Sequence, residues 1–535
     1  MVIYSRIVTL FVCGLCTFAP ATKSSSQDSD EYYRLIDISV AKTLSSSRSK
    51  NWKPAPEGLA LEVSGLAFVD NDRLAVAIRK GEVWTLEGVY NDPPSNVIYK
   101  RFATALHEPL GLLFHDGDLL TAQRSELTRL RDTDHDGVAD EYLTAAKGWG
   151  VTGHYHEYAY GPELDNDGNL WITLNIGMGL KGDQLSHIVR DAPFGYRQGR
   201  WRGWAMKLSP DGKLKPSCAG MRSPAGIGRN ADGDMFYTDQ QGNWVATNSL
   251  HHLRDGVFFH HAQALASMNL DGSTIHDVKA VPNKLPLPKA LKLFPQLVPP
   301  AVWFPYKKVG QSATDIMLDA SDGKFGPFSG QLFVGEFTQA GMNRVFLEKV
   351  NDQYQGACFP FRLGFASAVL RMIQGKDGSM FVGLTNRGWS SLGRASYGLQ
   401  RLVWTGKTPF EIKEMRAAPD GFDLVFTQPV DTATASNPDS YSMKSYTYNY
   451  QSAYGSDEIQ TKQLAITAAK VSSDRMSVSL TIENLRRHHV HELTANGVKN
   501  EKQQPLVHDK AYYTLNHIPQ RKQENHTQRP SQPLE

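Results

Sequence analysis

The chain repeats one short unit six times, and this repetition limits the folds that are open to it. The clearest copy runs from Arg222 to Trp244 and reads RSPAGIGRNADGDMFYTDQQGNW. A polar turn at residues 230–233 separates two apolar runs, which is typical of a β-hairpin. The other five copies have the same order of apolar strand, Asp/Asn/Gly turn, apolar strand and polar loop. They begin at Ser64, Leu110, Glu157, Ser312 and Leu370.

Spacings of about fifty residues, with several short strands in each unit, indicate a β-propeller. The continuous apolar runs fit blades that are buried on both faces. An array of β-sandwiches is the competing interpretation, but the strand–turn–strand order is too regular for it. The sequence therefore predicts an all-β chain with a six-bladed propeller over residues 55–406.

The pattern changes after Lys407. Residues 407–516 contain alternating strands such as FDLVF at 422–426, together with a tyrosine-rich run that begins at Ser445 and reads SYTYNYQSAYG. This length and alternation predict an immunoglobulin-like β-sandwich. Residues 517–535 are polar, with Pro and Gln, and are expected to be a disordered tail.

The N-terminus predicts export. Arg6 precedes an apolar run from Ile7 to Phe18, and Ala19-Pro20-Ala21 has the form of a cleavage site. We expect a signal peptide over residues 1–21, a linker over 22–54 and a secreted or periplasmic protein without a transmembrane helix after cleavage. An uncleaved membrane anchor is the alternative. The formal net charge of +2 does not favour a nucleic acid partner.

Four cysteines are present, and Cys13 and Cys16 lie within the predicted signal peptide. Cys218 and Cys358 remain, and in an oxidising compartment they could pair or stay free. No Cys-x-x-Cys-His motif is present, so a covalently bound c-type haem is not expected.

An acidic loop, DTDHDGVADE, follows the second repeat. Aspartates at alternate positions around a glycine can surround Ca²⁺ with oxygen ligands. The alternative is a solvated acidic turn. The predicted ligands of a structural calcium ion are Asp132, Asp134, Asp136, Val138 through its backbone carbonyl, Asp140 and Glu141.

Histidines lie in loops that enter or leave the blades. His154 and His156 precede the third repeat, and His251, His260 and His261 follow the fourth. Imidazoles at a propeller mouth can act as general bases or metal ligands. Packing roles are the alternative, and they are favoured for His251 and His261.

Several segments together resemble the six-bladed quinoprotein glucose/sorbosone dehydrogenases. More closely, the chain resembles the secreted propeller proteins called membrane-bound dehydrogenases. The markers are AIRKGEVWTL, GPELDNDGNLWITLN after His156, MRSPAGIGRNADGDMFYTD, SGQLFVGEF and VLRMIQGKDGSMFVGL.

The resemblance implies a dehydrogenase that uses pyrroloquinoline quinone (PQQ) to oxidise sugars or other alcohols. His156, with His154 as the alternative, matches the base that removes the hydroxyl proton. Arg222 and Arg371 match arginines that contact the quinone, and Asp239 completes the predicted cofactor-binding set. Ser223 stands where the family has Asn, and Thr338-Gln339 where it has a cofactor-binding Lys.

Three functions therefore remain open from the sequence. The first is a PQQ-dependent dehydrogenase with a small sugar or alcohol as substrate and an electron-acceptor protein as partner. The second is a metal-dependent lyase or hydrolase that uses His154, His156 and His260. The third is a non-catalytic propeller that binds glycans or proteins.

Overall fold

The computed structural model describes residues 30–38, 44–46, 59–94, 96–177 and 199–520. Strands make up 46% and helices 5%, so the all-β prediction is confirmed. The predicted signal peptide and residues 521–535 of the predicted tail lie outside the described residues.

In the described part of the chain, twenty-six strands precede the change of pattern at Lys407. The N-terminal strands and the first three blades contain β1 (Tyr33–Asp37), β2 (Leu44–Ser46), β3 (Val63–Phe68), β4 (Leu74–Ile78), β5 (Glu82–Glu87), β6 (Ile98–Ala103), β7 (Leu113–His115), β8 (Asp118–Ala122), β9 (Glu126–Arg131), β10 (Glu141–Lys147), β11 (Ala159–Leu164), β12 (Leu170–Leu174), β13 (Trp204–Leu208) and β14 (Leu214–Ala219). The next three blades and their connections contain β15 (Gly226–Arg229), β16 (Met235–Asp239), β17 (Asn248–His252), β18 (Leu285–Pro286), β19 (Val302–Phe304), β20 (Ala313–Leu318), β21 (Leu332–Glu336), β22 (Gly341–Val350), β23 (Gln353–Leu363), β24 (Val369–Gln374), β25 (Met380–Thr385) and β26 (Tyr397–Trp404).

These strands form six antiparallel blades around one axis. The innermost strands are β3, β7, β11, β15, β20 and β24, and each packs beside the next. The ring closes because β24 also packs against β3. The six-bladed propeller is therefore confirmed, and each sequence repeat is the inner hairpin of one blade.

The polar turns between the repeated strands have the predicted hairpin form. In the fourth blade the Asn230 side chain accepts hydrogen bonds from the backbone N–H groups of Asp232 and Asp234. Gly233 follows with a φ of +85°, a conformation that glycine adopts without strain. The turn type is thus fixed by residues within four positions of one another.

The last blade is completed by the N-terminus. Strand β1 pairs antiparallel with β26, so Tyr33 lies opposite Trp404 and Asp37 opposite Gln400. The segment 22–54, predicted to be a linker, therefore supplies an outer strand, and the propeller begins before residue 55. β2, from the same segment, pairs parallel with β6 of the first blade.

The remaining strands form the C-terminal β-domain. They are β27 (Ile412–Ala418), β28 (Gly421–Phe426), β29 (Ser442–Thr447), β30 (Asn449–Tyr450), β31 (Ile459–Leu464), β32 (Ile466–Val471), β33 (Ser477–Ile482), β34 (His489–Thr494) and β35 (Lys510–Leu515). One sheet has the order β27-β28-β33-β32, and the other has the order β35-β34-β29-β31. The immunoglobulin-like topology stays a prediction.

The C-terminal β-domain is joined to the fifth blade by a shared sheet. β35 pairs with β23, the outer strand of that blade, so eight strands form one continuous sheet. Phe346 and Phe359 of the blade pack in the same core as Phe422 and Leu424 of the domain. This packing fixes the domain beside the propeller.

Short helices lie in the longer connections. They are the 3-10 helix Ala262–Ser267, α1 (Leu287–Leu293), α2 (Thr432–Ala435) and the 3-10 helix Pro438–Ser440.

A loop of the C-terminal β-domain reaches the fourth blade. β30 pairs with β18, and the backbone N–H of Trp244 donates to the carbonyl of Gln451 at 3.0 Å. The N–H of Gly455 donates to the carbonyl of Gly242 at 2.9 Å. These bonds place the tyrosine-rich run at one mouth of the propeller.

Candidate functional site

The predicted cofactor-binding turn is held by a buried carboxylate. Asp239, at the end of β16, accepts hydrogen bonds from the backbone N–H groups of Arg222 at 2.8 Å and Ser223 at 2.7 Å. Burial raises the pKa of Asp239 to about 6, against the lowering effect of these bonds. Cofactor binding by Asp239 itself stays a prediction. Its carboxylate fixes the turn from behind.

The Arg222 side chain is directed into a cavity on the face where the inner strands begin, here called the upper cavity. Its guanidinium lies against the backbone of Gly242, where an added methyl group would overlap Nε and Cζ. Cζ lies 5.5 Å from the ring centroid of Tyr454, which belongs to the C-terminal β-domain. Burial lowers the pKa of Arg222 from its ordinary value.

His156 lines the same cavity, so the structure brings the predicted base and Arg222 together. Burial lowers the pKa of His156 to about 3, with a further contribution from the positive charge of Arg222. The imidazole is therefore neutral near pH 7. Its Nδ1 is buried and has no hydrogen bond partner within the described residues.

His154 lies behind His156 and does not line the cavity. Its Nδ1 accepts a hydrogen bond from the backbone N–H of His156 at 3.2 Å. This contact positions the loop, so the geometry favours His156 over His154 as the group that meets a ligand.

Two arginines that sequence reasoning did not single out hold the His156 loop in place. Arg124 donates to the carbonyls of His154 at 3.1 Å and Tyr155 at 2.8 Å. Arg202 donates to the carbonyl of Tyr158 at 2.8 Å. The loop backbone is therefore fixed by side chains from β-strand connections elsewhere in the propeller.

The upper cavity has a volume of about 220 Å³ and a positive lining. Arg79, Arg222 and Arg387 contribute guanidinium groups, and no Asp or Glu lines it in the described part of the chain. Arg79 forms an ion pair with Glu108, and Arg387 bonds Glu62 at 2.6 Å.

The remaining walls of the upper cavity combine aromatic and neutral polar residues with Leu110, Ala225, Leu370 and Gly388. The aromatic and neutral polar residues are Tyr155, Tyr158, Tyr160, Tyr306, Phe337, Trp389, Tyr454, Asn175, Ser223, Gln240, Gln241, Gln311 and Ser312. Three buried polar atoms of this cavity lack hydrogen bond partners among the described residues: Nδ1 of His156, Oδ1 of Asn175 and Nε of Arg79. Buried polar atoms are rarely left unsatisfied, which indicates a site built for a polar ligand.

Arg371 lies elsewhere. It lines a second cavity, of about 490 Å³, at the end of the axis away from the upper cavity. This second cavity is here called the lower cavity. Its guanidinium donates to the carbonyls of Ser64, Leu110, Ala225 and Leu370, which belong to the first, second, fourth and sixth repeats. The structure does not place Arg371 with Arg222, and it gives Arg371 the role of joining strands at the axis.

The lower cavity carries charges of both signs, because two acids line it together with Arg229 and Arg371. Glu163 and Asp315 both line it, and burial raises the pKa of Glu163 to about 7 and that of Asp315 to about 6. Asp315 also accepts a hydrogen bond from the N–H of Met372 at 2.7 Å and lies 3.6 Å from Arg371. Neither carboxylate was predicted from the sequence.

The acidic loop brings only part of its predicted ligand set together. Ligand oxygens of Asp132, Asp134 and Asp136 lie within 4.8 Å of one another. Asp140 instead accepts from the N–H and Oγ1 of Thr133, at 3.0 and 2.9 Å, and Glu141 pairs with Arg131 at 3.3 Å.

Val138 is the remaining predicted ligand, and its N–H donates to Asp136 at 2.9 Å. Gly137 has a φ of +86°, and its N–H donates to Asp132 at 2.9 Å. Binding of calcium by this loop remains a prediction.

The histidines proposed for a metal enzyme are not assembled. His260 is buried with its Nε2 3.0 Å from Nε2 of His251, and neither ring lines the upper cavity. Burial lowers the pKa of His260 to about 3. Within the described residues, only the three aspartates of the acidic loop form a group of His, Cys, Asp or Glu positioned for a metal ion.

Cys218 and Cys358 are buried as free thiols, and burial raises the pKa of Cys218 to about 12. Of the helices that the structure describes, none has the length and apolar character needed to span a membrane.

One family model and several solved structures match parts of the chain. Residues 84–295 match the model of a domain of unknown function, DUF7133. No curated protein matches the chain.

Among solved structures, the soluble aldose sugar dehydrogenase of Escherichia coli is 13% identical, with a TM-score of 0.41, over 69% of this chain and 99% of that one. The PQQ-bound aldose sugar dehydrogenase of Streptomyces coelicolor is 12% identical, with a TM-score of 0.43, over 70% and 98%. A gluconolactonase of Xanthomonas campestris is 14% identical, with a TM-score of 0.34, over 64% and 86%.

Proposed function

We propose that the protein oxidises sugars or other alcohols with a planar, anionic quinone, PQQ, bound in the upper cavity. The observation that carries this proposal is the pairing of a neutral His156 with arginines in a cavity whose lining has no acid among the described residues. A basic, aromatic pocket favours a flat anion, and a neutral imidazole can accept a hydroxyl proton.

The residues fit such a quinone in charge and shape. PQQ carries three carboxylates on a fused ring system, and guanidinium groups bind carboxylates through paired hydrogen bonds. Arg222 would hold one carboxylate, with Arg79 and Arg387 beside it. Tyr158 and Tyr160 offer flat apolar surface within the same lining. The unpartnered Nε of Arg79 and Oδ1 of Asn175 are further polar contacts for the ligand.

Bound PQQ would supply an acceptor for the two electrons of an alcohol. The protein's own contribution begins with His156, whose unpartnered Nδ1 accepts the hydroxyl proton of the substrate. Arg222 stays cationic and stabilises negative charge that develops on the substrate oxygen. The loop contacts made by Arg124 and Arg202 keep the imidazole in place, so little reorganisation is needed when the proton moves.

Reconstitution tests the proposal. The purified chain is titrated with PQQ by calorimetry, and a dye-coupled assay then measures oxidation of an aldose and alcohol panel. We expect His156→Asn to bind PQQ but lose turnover, and Arg222→Ala to weaken PQQ binding.

The matched controls are His154→Asn and Arg229→Ala, which change a neighbouring histidine outside the cavity and an arginine that lines the lower cavity. Both are expected to keep PQQ binding and most turnover. The proposal fails if the wild type binds no PQQ, or if the His156 and Arg222 variants behave like their controls.

Three further parts of the proposal concern the protein's surroundings. We propose export through residues 1–21, electron transfer from the reduced quinone to an acceptor protein, and a structural Ca²⁺ in the acidic loop. The convergence of Asp132, Asp134 and Asp136 supports the calcium ion. Detection of the mature N-terminus outside the cytoplasm would test export.

A further inference from the structure

The three most exposed aromatic side chains of the described residues lie at one place. Tyr155, Trp389 and Tyr454 are the most exposed aromatic residues among those described, at 60%, 61% and 62%. All three line the upper cavity and are named here the aromatic rim. Large apolar rings left in water at one spot mark a binding surface.

The aromatic rim is assembled from three separate connections. Tyr155 precedes β11, Trp389 lies between β25 and β26, and Tyr454 lies between β30 and β31. The first and third have fixed backbones, because Arg124 donates to the carbonyl of Tyr155 and Asn243 forms a β-bridge with Tyr454. The rim is therefore formed by three converging connections, two of which are anchored.

The chemistry around the rings favours a neutral carbohydrate. Gln240, Gln241 and Gln311 line the same cavity and offer uncharged amides. The face of a sugar ring is apolar and packs on aromatic rings, whereas its hydroxyl groups bond amides and other neutral polar groups. Nε2 of Gln240 and Nε2 of Gln241 donate to the carbonyls of Ala313 and Ala246, each at 3.2 Å, and these bonds hold the two amides at the cavity wall.

The position of the rings favours a chain over a single sugar. More than half of each rim side chain is exposed, so the rings extend beyond the enclosed space of about 220 Å³. A free monosaccharide within that space would leave most of the rim surface in water. A ligand that covers the rim must extend outward from the cavity.

We propose that the aromatic rim binds a neutral oligosaccharide whose terminal unit lies at the mouth of the upper cavity. The inference rests on the proposed function in one respect, since the terminal unit is then the alcohol that is oxidised. Binding of the chain itself requires no cofactor, so the two can be tested apart.

The first experiment measures binding without quinone. The fluorescently labelled full chain is applied to an array of neutral oligosaccharides of varied linkage, with the matching monosaccharides, and hits are titrated by calorimetry. We expect an oligosaccharide of at least three units to bind more tightly than its monosaccharide. Trp389→Ala should weaken that binding by about tenfold, the scale for removing a central aromatic contact.

The controls separate recognition from folding. Leu392 is 77% exposed, lies in the same connection as Trp389 and does not line the cavity, so Leu392→Ala should bind as the wild type does. Trp389→Phe retains a ring and should restore part of the affinity, and melting temperatures confirm that each variant is folded. The inference is overturned if no oligosaccharide binds better than its monosaccharide, or if Trp389→Ala and Leu392→Ala are alike.

The second experiment adds PQQ and the dye-coupled assay. If oligosaccharides bind in a rim-dependent way but are not oxidised, the proposed function fails and the inference stands. If free sugars are oxidised with the same efficiency as oligosaccharides, and Trp389→Ala changes neither, the inference fails and the proposed function stands.

Discussion

Gly242→Ala is a change that should separate binding from folding. The guanidinium of Arg222 lies against the Gly242 backbone, and a Cβ atom there would overlap Nε and Cζ. The guanidinium must therefore move, while the Arg222 backbone stays held by Asp239. The variant displaces one charged group without removing it.

The expected loss follows from the bonds that Arg222 would make. A hydrogen bond to a charged group contributes about 1.5–3 kcal/mol. Loss of one such contact weakens binding of PQQ roughly ten- to hundredfold. The variant should still fold, because the N–H of Gly242 bonds Val245 and its carbonyl accepts from Gly455, both at 2.9 Å. Overpacking costs about 1–3 kcal/mol, and the lower chain entropy of alanine offsets about 0.4–1 kcal/mol of it.

Calorimetric titration with PQQ and thermal melts measure the two effects. Gly398→Ala is the matched control, because the nearest heavy atom that its Cβ would meet is Cδ1 of Leu384 at 3.6 Å, an ordinary contact. The double variant Gly242→Ala/Arg222→Ala should bind PQQ no more weakly than Arg222→Ala, since both act through one group. Wild-type affinity in Gly242→Ala, or additive losses in the double variant, would refute the reasoning.

Three other predictions follow from the same geometry. A bound anion should raise the pKa of His156 from about 3, so that the complex takes up a proton as the pH falls. The affinity for PQQ measured by calorimetry should therefore increase between pH 7 and pH 5, and His156→Asn should lose this pH dependence. An unchanged pH dependence in that variant would exclude His156 as its source. Added Ca²⁺ should raise the melting temperature with concentration, and at a hundred times its Kd it should add about 2.7 kcal/mol to the free energy of unfolding. Asp134→Ala should abolish this rise, whereas Asp116→Ala, at an exposed position, should keep it. Equal melting temperatures with calcium and with EDTA would show that the loop is a plain acidic turn. Arg371→Met should lower the free energy of unfolding by about 3 kcal/mol or more in chemical denaturation, because carbonyls of three other blades lose a buried donor. A loss below 1 kcal/mol would contradict its role at the axis.

The blades were predictable because their signals are local. In the copy that begins at Arg222, Asn230 and Gly233 set the turn from within the hairpin itself. The outer strand β1 carried no such signal, because YRLID has no neighbouring strand in the sequence and pairs with the distant β26. The sheet shared by β23 and β35 was hidden for the same reason.

The candidate site was predictable only where residues keep equivalent places in successive repeats. His156 and Arg222 both precede an inner strand, so they meet at one mouth of the ring. Arg371 lies within its strand, where a β-bulge between Val369 and Arg371 changes the direction of the side chain. No local pattern could reveal that Gly242 supports Arg222.

The contribution of the C-terminal β-domain was likewise hidden. The run SYTYNYQSAYG is conspicuous in the sequence, but nothing in it indicates that Tyr454 covers Arg222. That contact depends on the bridge between Asn243 and Tyr454, which joins two distant parts of the chain.

The pairing of β1 with β26 also sets an order of events during synthesis. The first strand to leave the ribosome has no partner until Trp404 has emerged, so the ring cannot close on a shorter nascent chain. Until β1 and β26 have paired, the free edge of each strand is open to other chains.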